Sequence, residues 1–284
     1  MTTRSEVWRN TARNVRTRAF VERYGRPNLV KPAAIMRHLV TTVVRTVRRG
    51  DWTPPFRPDE FFRYFNVIET STDPALTSAA QLRKAGDAFR IVVNDASATG
   101  RHNFSVFHEL AHVFFETALR EKPRRLTQRE LAELQATRVD EERLCDLAAA
   151  EFLLPKRAFR TRLTEFSGAW AEIYELARLF DASFEATTLR IHELWSGDLW
   201  VQKWSIADDR ITARDLCCTG SFKTLRAAFA KRILPEIDGA VRRRIAGAVT
   251  YTVPAVTEPK RVNLDVRPWQ RSSALSVWTI GGHS

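Results

Sequence analysis

Residues 104–115 read Phe-Ser-Val-Phe-His-Glu-Leu-Ala-His-Val-Phe-Phe, and this stretch constrains the chain more than any other. On a helix, His108 and His112 stand one turn apart and project from the same face. Two imidazoles at that spacing can close on a single zinc ion, with bonds of ~2.0–2.1 Å. Glu109 is rotated from His108 by about 100° around the helix. It therefore stays out of the ligand set, yet it can reach a water activated by the metal and accept its proton as attack begins. Phe104, Phe107, Leu110, Ala111, Phe114 and Phe115 give the same helix broad apolar anchorage, and a rigid, buried helix is what a precise metal site requires. The competing reading is an ordinary helix with surface His and Glu; two His among three fixed positions make the coincidence a poor one.

A third ligand must come from elsewhere. A further His six residues after His112 would mark one zinc-peptidase class, but position 118 is Ala118. The other common solution is a Glu on a later helix. The segment from Val139 to Pro155 supplies candidates among small residues. Glu142 and Asp146 are one turn apart, so Glu142 can complete the triad while Asp146 hydrogen-bonds the distal nitrogen of a metal-binding imidazole. Glu141 is the rival ligand, and a merely solvated acidic cluster is the third option. Ala148, Ala149 and Ala150 allow this helix to pack closely against the HELAH helix.

HELAH followed by E-x-x-x-D-x-A-A-A-E-x-L-L-P resembles the ImmA/IrrE family of metallopeptidases, over roughly residues 60–195. The resemblance places Glu142 at the ligand Glu, Cys145 and Asp146 at the Ala-Asn/Asp pair, and Pro155 at the closing proline. Ala111, Cys145 and Ala148 depart from the usual Gly, Ala and Phe. It implies a zincin-like domain with Zn2+ as cofactor, and a protein substrate, typically a helix-turn-helix repressor whose cleavage releases transcription.

Around this centre the pattern is α+β. Ser5 can cap a helix with Trp8, Ala12, Val15 and Ala19 at apolar positions, stopped by Gly25 and Pro27. A second helix is expected from Pro32 to Arg49, with Ile35, Leu39, Val43 and Val47 inward. FRYFNVIE and FRIVVND read as strands, the latter a candidate edge strand for binding an extended substrate. Thr127 and Glu130 form a capping-box pair opening a helical region that Pro155 ends. Further helices run to Leu194, with Leu176, Leu179, Leu189 and Leu194 as core positions. LWVQKWSI, RITARDLCC, RVNLDVRPW and ALSVWTI read as strands, with a helix from Phe222 to Ile233 between them. Five of the eight tryptophans lie from Trp195 to Trp278, which fits a separate small core. The expected division is 1–50 basic helices, 51–195 zincin-like domain and 196–284 β-rich domain.

The net charge of +12 is concentrated: the first fifty residues carry twelve Arg or Lys against Glu6 and Glu22. Arg9, Arg13 and Arg16 share a face of the first helix, so nucleic acid is a candidate partner. A solvated helical face in an Arg-biased chain is the plainer account. The polar N-terminus and the lack of a long apolar run argue against a secretory signal or a membrane partner, which places the protein in the cytoplasm. Cys145, Cys217 and Cys218 contain no CxxC pair and read as reduced, structural thiols. His102, Tyr174 and His192 are weak candidates for stabilising an oxyanion. The reading from another function class is a DNA-associated regulator or toxin–antitoxin component with a structural zinc.

Overall fold

A computed structural model describes residues 15–94, 99–120, 128, 139–207, 210–220, 222, 247–253, 260–269 and 273–280. Two compact units divide the chain. One comprises the residues up to Phe159 with Leu179–Ala182; the other comprises Arg160–Arg178 with Ser183–Ser284. The architecture is α+β, as the sequence pattern implies.

In the first unit, helix α1 is described over Val15–Tyr24 and α2 spans Pro32–Val47. The backbone N–H of Gly25 closes on Val21 at 2.9 Å, which ends α1 where the glycine was expected to end it. Pro sits in the first turn of α2, where its missing N–H costs no hydrogen bond. Ile35, Met36, Val40, Val43 and Val44 form the buried stripe of α2, while Leu39 and Val47 lie half-buried beside it. The Ser5, Trp8 and Ala12 positions, and the Thr127/Glu130 pair, lie outside the described residues.

Three short strands follow: β1 Val67–Thr72, β2 Ala80–Ala85 and β3 Ala88–Val93. They form a sheet in the order β1-β3-β2, with β1 parallel and β2 antiparallel to β3. This overturns two sequence expectations. The FRIVVND strand is central rather than an edge, because β2, unanticipated, covers its other side. The FRYFNVIE strand begins only at Val67, since Pro58–Phe61 forms a 3-10 turn whose Arg57 N–H donates to Glu60 at 3.2 Å. Tertiary packing explains the second difference. Phe61 and Phe65 are drawn into an aromatic cluster with Phe107, Phe114 and Phe152, with ring centroids 5.2–6.0 Å apart.

Helix α3, Thr99–Arg120, carries the HELAH stretch, and α4, Val139–Leu153, carries the acidic one. Cys145, Ala148 and Ala149 on α4 and Ala111 on α3 are fully buried, so the two helices meet through small side chains. Phe107 and Phe152 stack across them at 5.2 Å with nearly parallel rings. Phe20 of α1 stacks on Phe115 at 4.8 Å, so α1 packs against α3 as well.

The second unit takes up the end of α5 Lys156–Arg162 from Arg160, α6 Trp170–Leu179 as far as Arg178, and α7 Phe184–Leu194. It also holds a five-stranded antiparallel sheet in the order β5-β4-β8-β7-β6. Its strands are β4 Leu199–Ala207, β5 Arg210–Cys218, β6 Gly247–Val253, β7 Lys260–Trp269 and β8 Ser273–Ile280. Trp200 and Trp204 are core residues, and the Trp200 indole N–H donates to Asp215 at 2.9 Å. Leu176 is buried, but Leu179 and Leu189 are exposed and Leu194 half-buried rather than core, because α6 buries the face bearing Ile173, Leu176 and Ala177 and α7 the face bearing Phe184, Thr187, Thr188 and Ile191. The expected helix at Phe222–Ile233 lies outside the described residues apart from Phe222.

Candidate metal centre

Helix geometry brings His108 and His112 together, with their Nε2 atoms 3.2 Å apart. Each ring is held from behind by a carboxylate on α4. The Nδ1 of His108 meets Asp146 Oδ1 at 2.9 Å, and the Nδ1 of His112 meets Glu141 Oε1 at 2.8 Å. A ring that donates through Nδ1 leaves an Nε2 lone pair free, which is the tautomer a metal ligand needs. Glu142 approaches from the same helix. Its Oε2 lies 3.0 Å from His108 Nε2 and 3.7 Å from His112 Nε2.

These separations test whether the residues fit an ion. Tetrahedral ligands with bonds of ~2.0–2.1 Å sit roughly 3.3 Å from one another. The three distances here, 3.2, 3.0 and 3.7 Å, bracket that value. Two facing imidazole lone pairs and a carboxylate oxygen at such range need a cation among them. In the metal-free chain that cation is a proton. Burial opposes charge on His112, but hydrogen bonds with Cys145, Glu141 and Glu142 outweigh it and push the imidazole up to about 12. His108 is likewise raised against its burial, chiefly by Asp146. Glu142 falls to about 2, first because His112 hydrogen-bonds it.

Cys145 adds a fourth donor that sequence reading treated only as structural. His108, His112 and Cys145 present ligand atoms all within 4.8 Å of one another, so this cluster could hold a metal ion. Burial pushes the Cys145 thiol up to about 11, which disfavours the thiolate that binds metals. The signal was available: Cys145 follows Glu142 by three residues and so shares its helix face.

Glu109 is rotated away from the imidazoles, as the helical period requires. Its Oε2 accepts the Leu82 backbone N–H at 2.7 Å, so the outer edge of β2 faces Glu109. Glu141, weighed as a rival ligand, is instead turned toward Nδ1 of His112. Its other oxygen takes a hydrogen bond from Arg16 Nε, and Arg16 Nη2 also reaches Glu116 at 2.6 Å. Arg16 is 6% exposed. It is therefore no part of a phosphate-binding face, because its guanidinium is spent on two carboxylates. Arg9 and Arg13 lie outside the described residues. Of the oxyanion candidates, His102 is half-buried on α3, whereas Tyr174 and His192 are exposed on α6 and α7 in the second unit.

Residues 65–192 match the family model for the M78 peptidase, IrrE N-terminal-like domain. These residues form an IrrE N-terminal-like domain, which bears out the resemblance to the ImmA/IrrE family. The IrrE-like domain thus holds both helices of the metal centre and all three strands of the first sheet except for its lead-in at Phe61. Among solved structures, a Mycobacterium tuberculosis transcriptional regulator is similar in fold, with a TM-score of 0.50 at 12% identity. That likeness covers 93% of this chain and 79% of the other. No curated protein matches the chain. Among the described residues, no helix is long and apolar enough to cross a membrane.

Proposed function

We propose that the chain is a zinc-dependent endopeptidase of the cytoplasm, with zinc held by His108, His112 and Glu142. The observation that carries this reading is the convergence of both Nε2 atoms and Glu142 Oε2, while each Nδ1 is tied to its own carboxylate. Glu142 is favoured over Cys145 because its oxygen is ionised and already within ligand-to-ligand range, whereas the thiol is buried and protonated. Asp146 and Glu141 then serve as the groups that orient the imidazoles. When bound, zinc supplies Lewis acidity, lowering a water's pKa toward ~7 and polarising a carbonyl. Glu109 accepts the proton of the attacking water and delivers it to the leaving amine. The free edge of β2 offers main-chain groups for an extended peptide beside Glu109, replacing β3 as the docking strand.

The expected division into residues 1–50, 51–195 and 196–284 is kept as a functional one, supported at its second boundary by a family match that ends at residue 192. A helix-turn-helix repressor is the proposed substrate class; the family resemblance supports it, and a structural neighbour that is a transcriptional regulator accords with a regulatory setting. The test compares new protein N-termini in cells expressing wild type or Glu109→Gln, with zinc content measured in both. Cleavage products confined to wild type, with zinc kept in the variant, support the mechanism. Equal cleavage by Glu109→Gln refutes it.

A second reading, association with nucleic acid, draws on Arg23, Arg26, Arg45 and Arg49, all exposed in the basic N-terminal region. It requires binding to duplex DNA that weakens steeply with salt, by a slope of about one per neutralised phosphate. Salt-insensitive binding, or none, removes it.

A further inference from the structure

The family match begins at residue 65, yet the metal centre is backed by a residue far upstream of it. Glu141 is fully buried, and a buried carboxylate is stable only when paired and hydrogen-bonded. One of its oxygens holds His112 Nδ1 at 2.8 Å, and the other is held by Arg16 Nε. Arg16 in turn bonds Glu116 on α3, and Glu116 meets Lys84 of β2 at 2.6 Å. The order is thus Lys84, Glu116, Arg16, Glu141, His112, drawn from β2, α3, α1, α4 and α3. Arg16 sits where the row passes through the interior, with both of its carboxylate partners facing it from different helices.

We infer that Arg16 is a positioning residue for the metal centre, fixing the ring of His112 through the buried carboxylate of Glu141, so that α1 is a working part of the site rather than an appendage. A guanidinium suits the task because its fork donates to two carboxylates at once in a fixed plane. Without it, Glu141 loses its charge partner and the hydrogen bond that fixes its second oxygen, so the carboxylate is free to move. That movement releases Nδ1 of His112 from its acceptor and lets the ring turn. The inference rests on the reading of His108 and His112 as metal ligands.

The experiment measures zinc affinity by competition with a chelating dye, together with thermal unfolding. It uses the full chain as wild type, Arg16→Met, Arg16→Lys and Phe20→Ala. Phe20 is a control for α1, since it is fully buried against Phe115 and its ring offers no hydrogen bond or charge to the carboxylates. Loss of an outer partner typically weakens metal binding about 10–100-fold. Arg16→Met is expected to show that loss, Arg16→Lys to recover most of it, and Phe20→Ala to lower the unfolding temperature with zinc affinity kept. Should Arg16→Met fail to fold, Arg16→Met with Glu141→Met removes both buried charges and keeps the volume. It is expected to fold and to bind zinc about 10–100-fold more weakly than wild type. Unchanged affinity in Arg16→Met or in the double variant overturns the inference, as does an equal loss in Phe20→Ala. Absence of zinc binding in wild type instead overturns the metal reading beneath it.

Discussion

The two flanks of the proposed metal centre hold their imidazoles by opposite means. On one side, His108 is oriented by Asp146, whose side chain is 60% exposed. On the other, His112 is oriented by Glu141, whose side chain is 0% exposed and is backed by Arg16. An exposed carboxylate keeps much of its hydration, so it needs no counter-charge from the protein. A buried one needs a cation, and here the cation comes from a helix outside the family's matched domain. The solvent-facing flank can therefore be self-contained within α3 and α4, whereas the interior flank ties the site to the packing of α1.

The sharpest way to break this contrast is Glu141→Ala, set against Asp146→Ala. Removing Glu141 leaves Arg16 buried without its main partner, and breaking such a pair costs about 3–5 kcal/mol. Chemical denaturation should show that loss together with the loss of zinc. Asp146→Ala should weaken zinc about 10–100-fold while changing stability by less than about 1 kcal/mol. Equal destabilisation by the two variants would erase the distinction between the flanks.

Proton counting sharpens the comparison further. In the metal-free protein both imidazoles are raised, and His112, at about 12, holds its proton at neutral pH. Metal ligation requires their neutral forms, so zinc binding must release protons and strengthen as pH rises. Calorimetry in buffers of differing ionisation heat should detect the release at pH 7. For the metal-free fold the sign is reversed. A raised pKa stabilises below the ordinary His value of 6.5, and the contribution is lost only as pH climbs toward about 12.

The smallest expected effect is at the outer end of the relay. Glu116 is held below its ordinary 4.5, because hydrogen bonds from Lys84 and Arg16 outweigh its burial. A depressed carboxylate stabilises above its unfolded pKa, and the contribution disappears as pH falls through the folded value. Glu116→Gln should therefore lower stability near pH 7 and flatten the acid limb of the stability profile below about pH 4.5. Thermal unfolding across that range checks it, and an acid limb as steep as wild type's would remove Glu116 from the account.

Much of the first unit was legible because local signals agree with one another. HELAH fixes a helix, its buried face and the common side of His108 and His112 through a single period. The strands β3, β4, β5, β7 and β8 announced themselves by β-branched and aromatic runs. By contrast β2, with the sequence AQLRKA, has no such enrichment. Its cue was the two-residue Gly86-Asp87 link to β3, with Gly86 at a φ of 65° that favours a tight hairpin. The role of Glu141 was not legible at all. Adjacent carboxylates on α4 point to different neighbours, and only the packing of α1 decides which one is buried. Arg16 read as one more surface charge for the same reason: its partners lie 100 and 125 residues away.

Zinc stoichiometry of the purified chain, measured beside Glu142→Ala and Cys145→Ala, tests the central claim most directly. The account predicts about one zinc per chain in wild type and in Cys145→Ala, and its loss in Glu142→Ala. Retention in Glu142→Ala with loss in Cys145→Ala would contradict the ligand set in favour of the thiol, and a wild type that binds no zinc would contradict the metal centre itself.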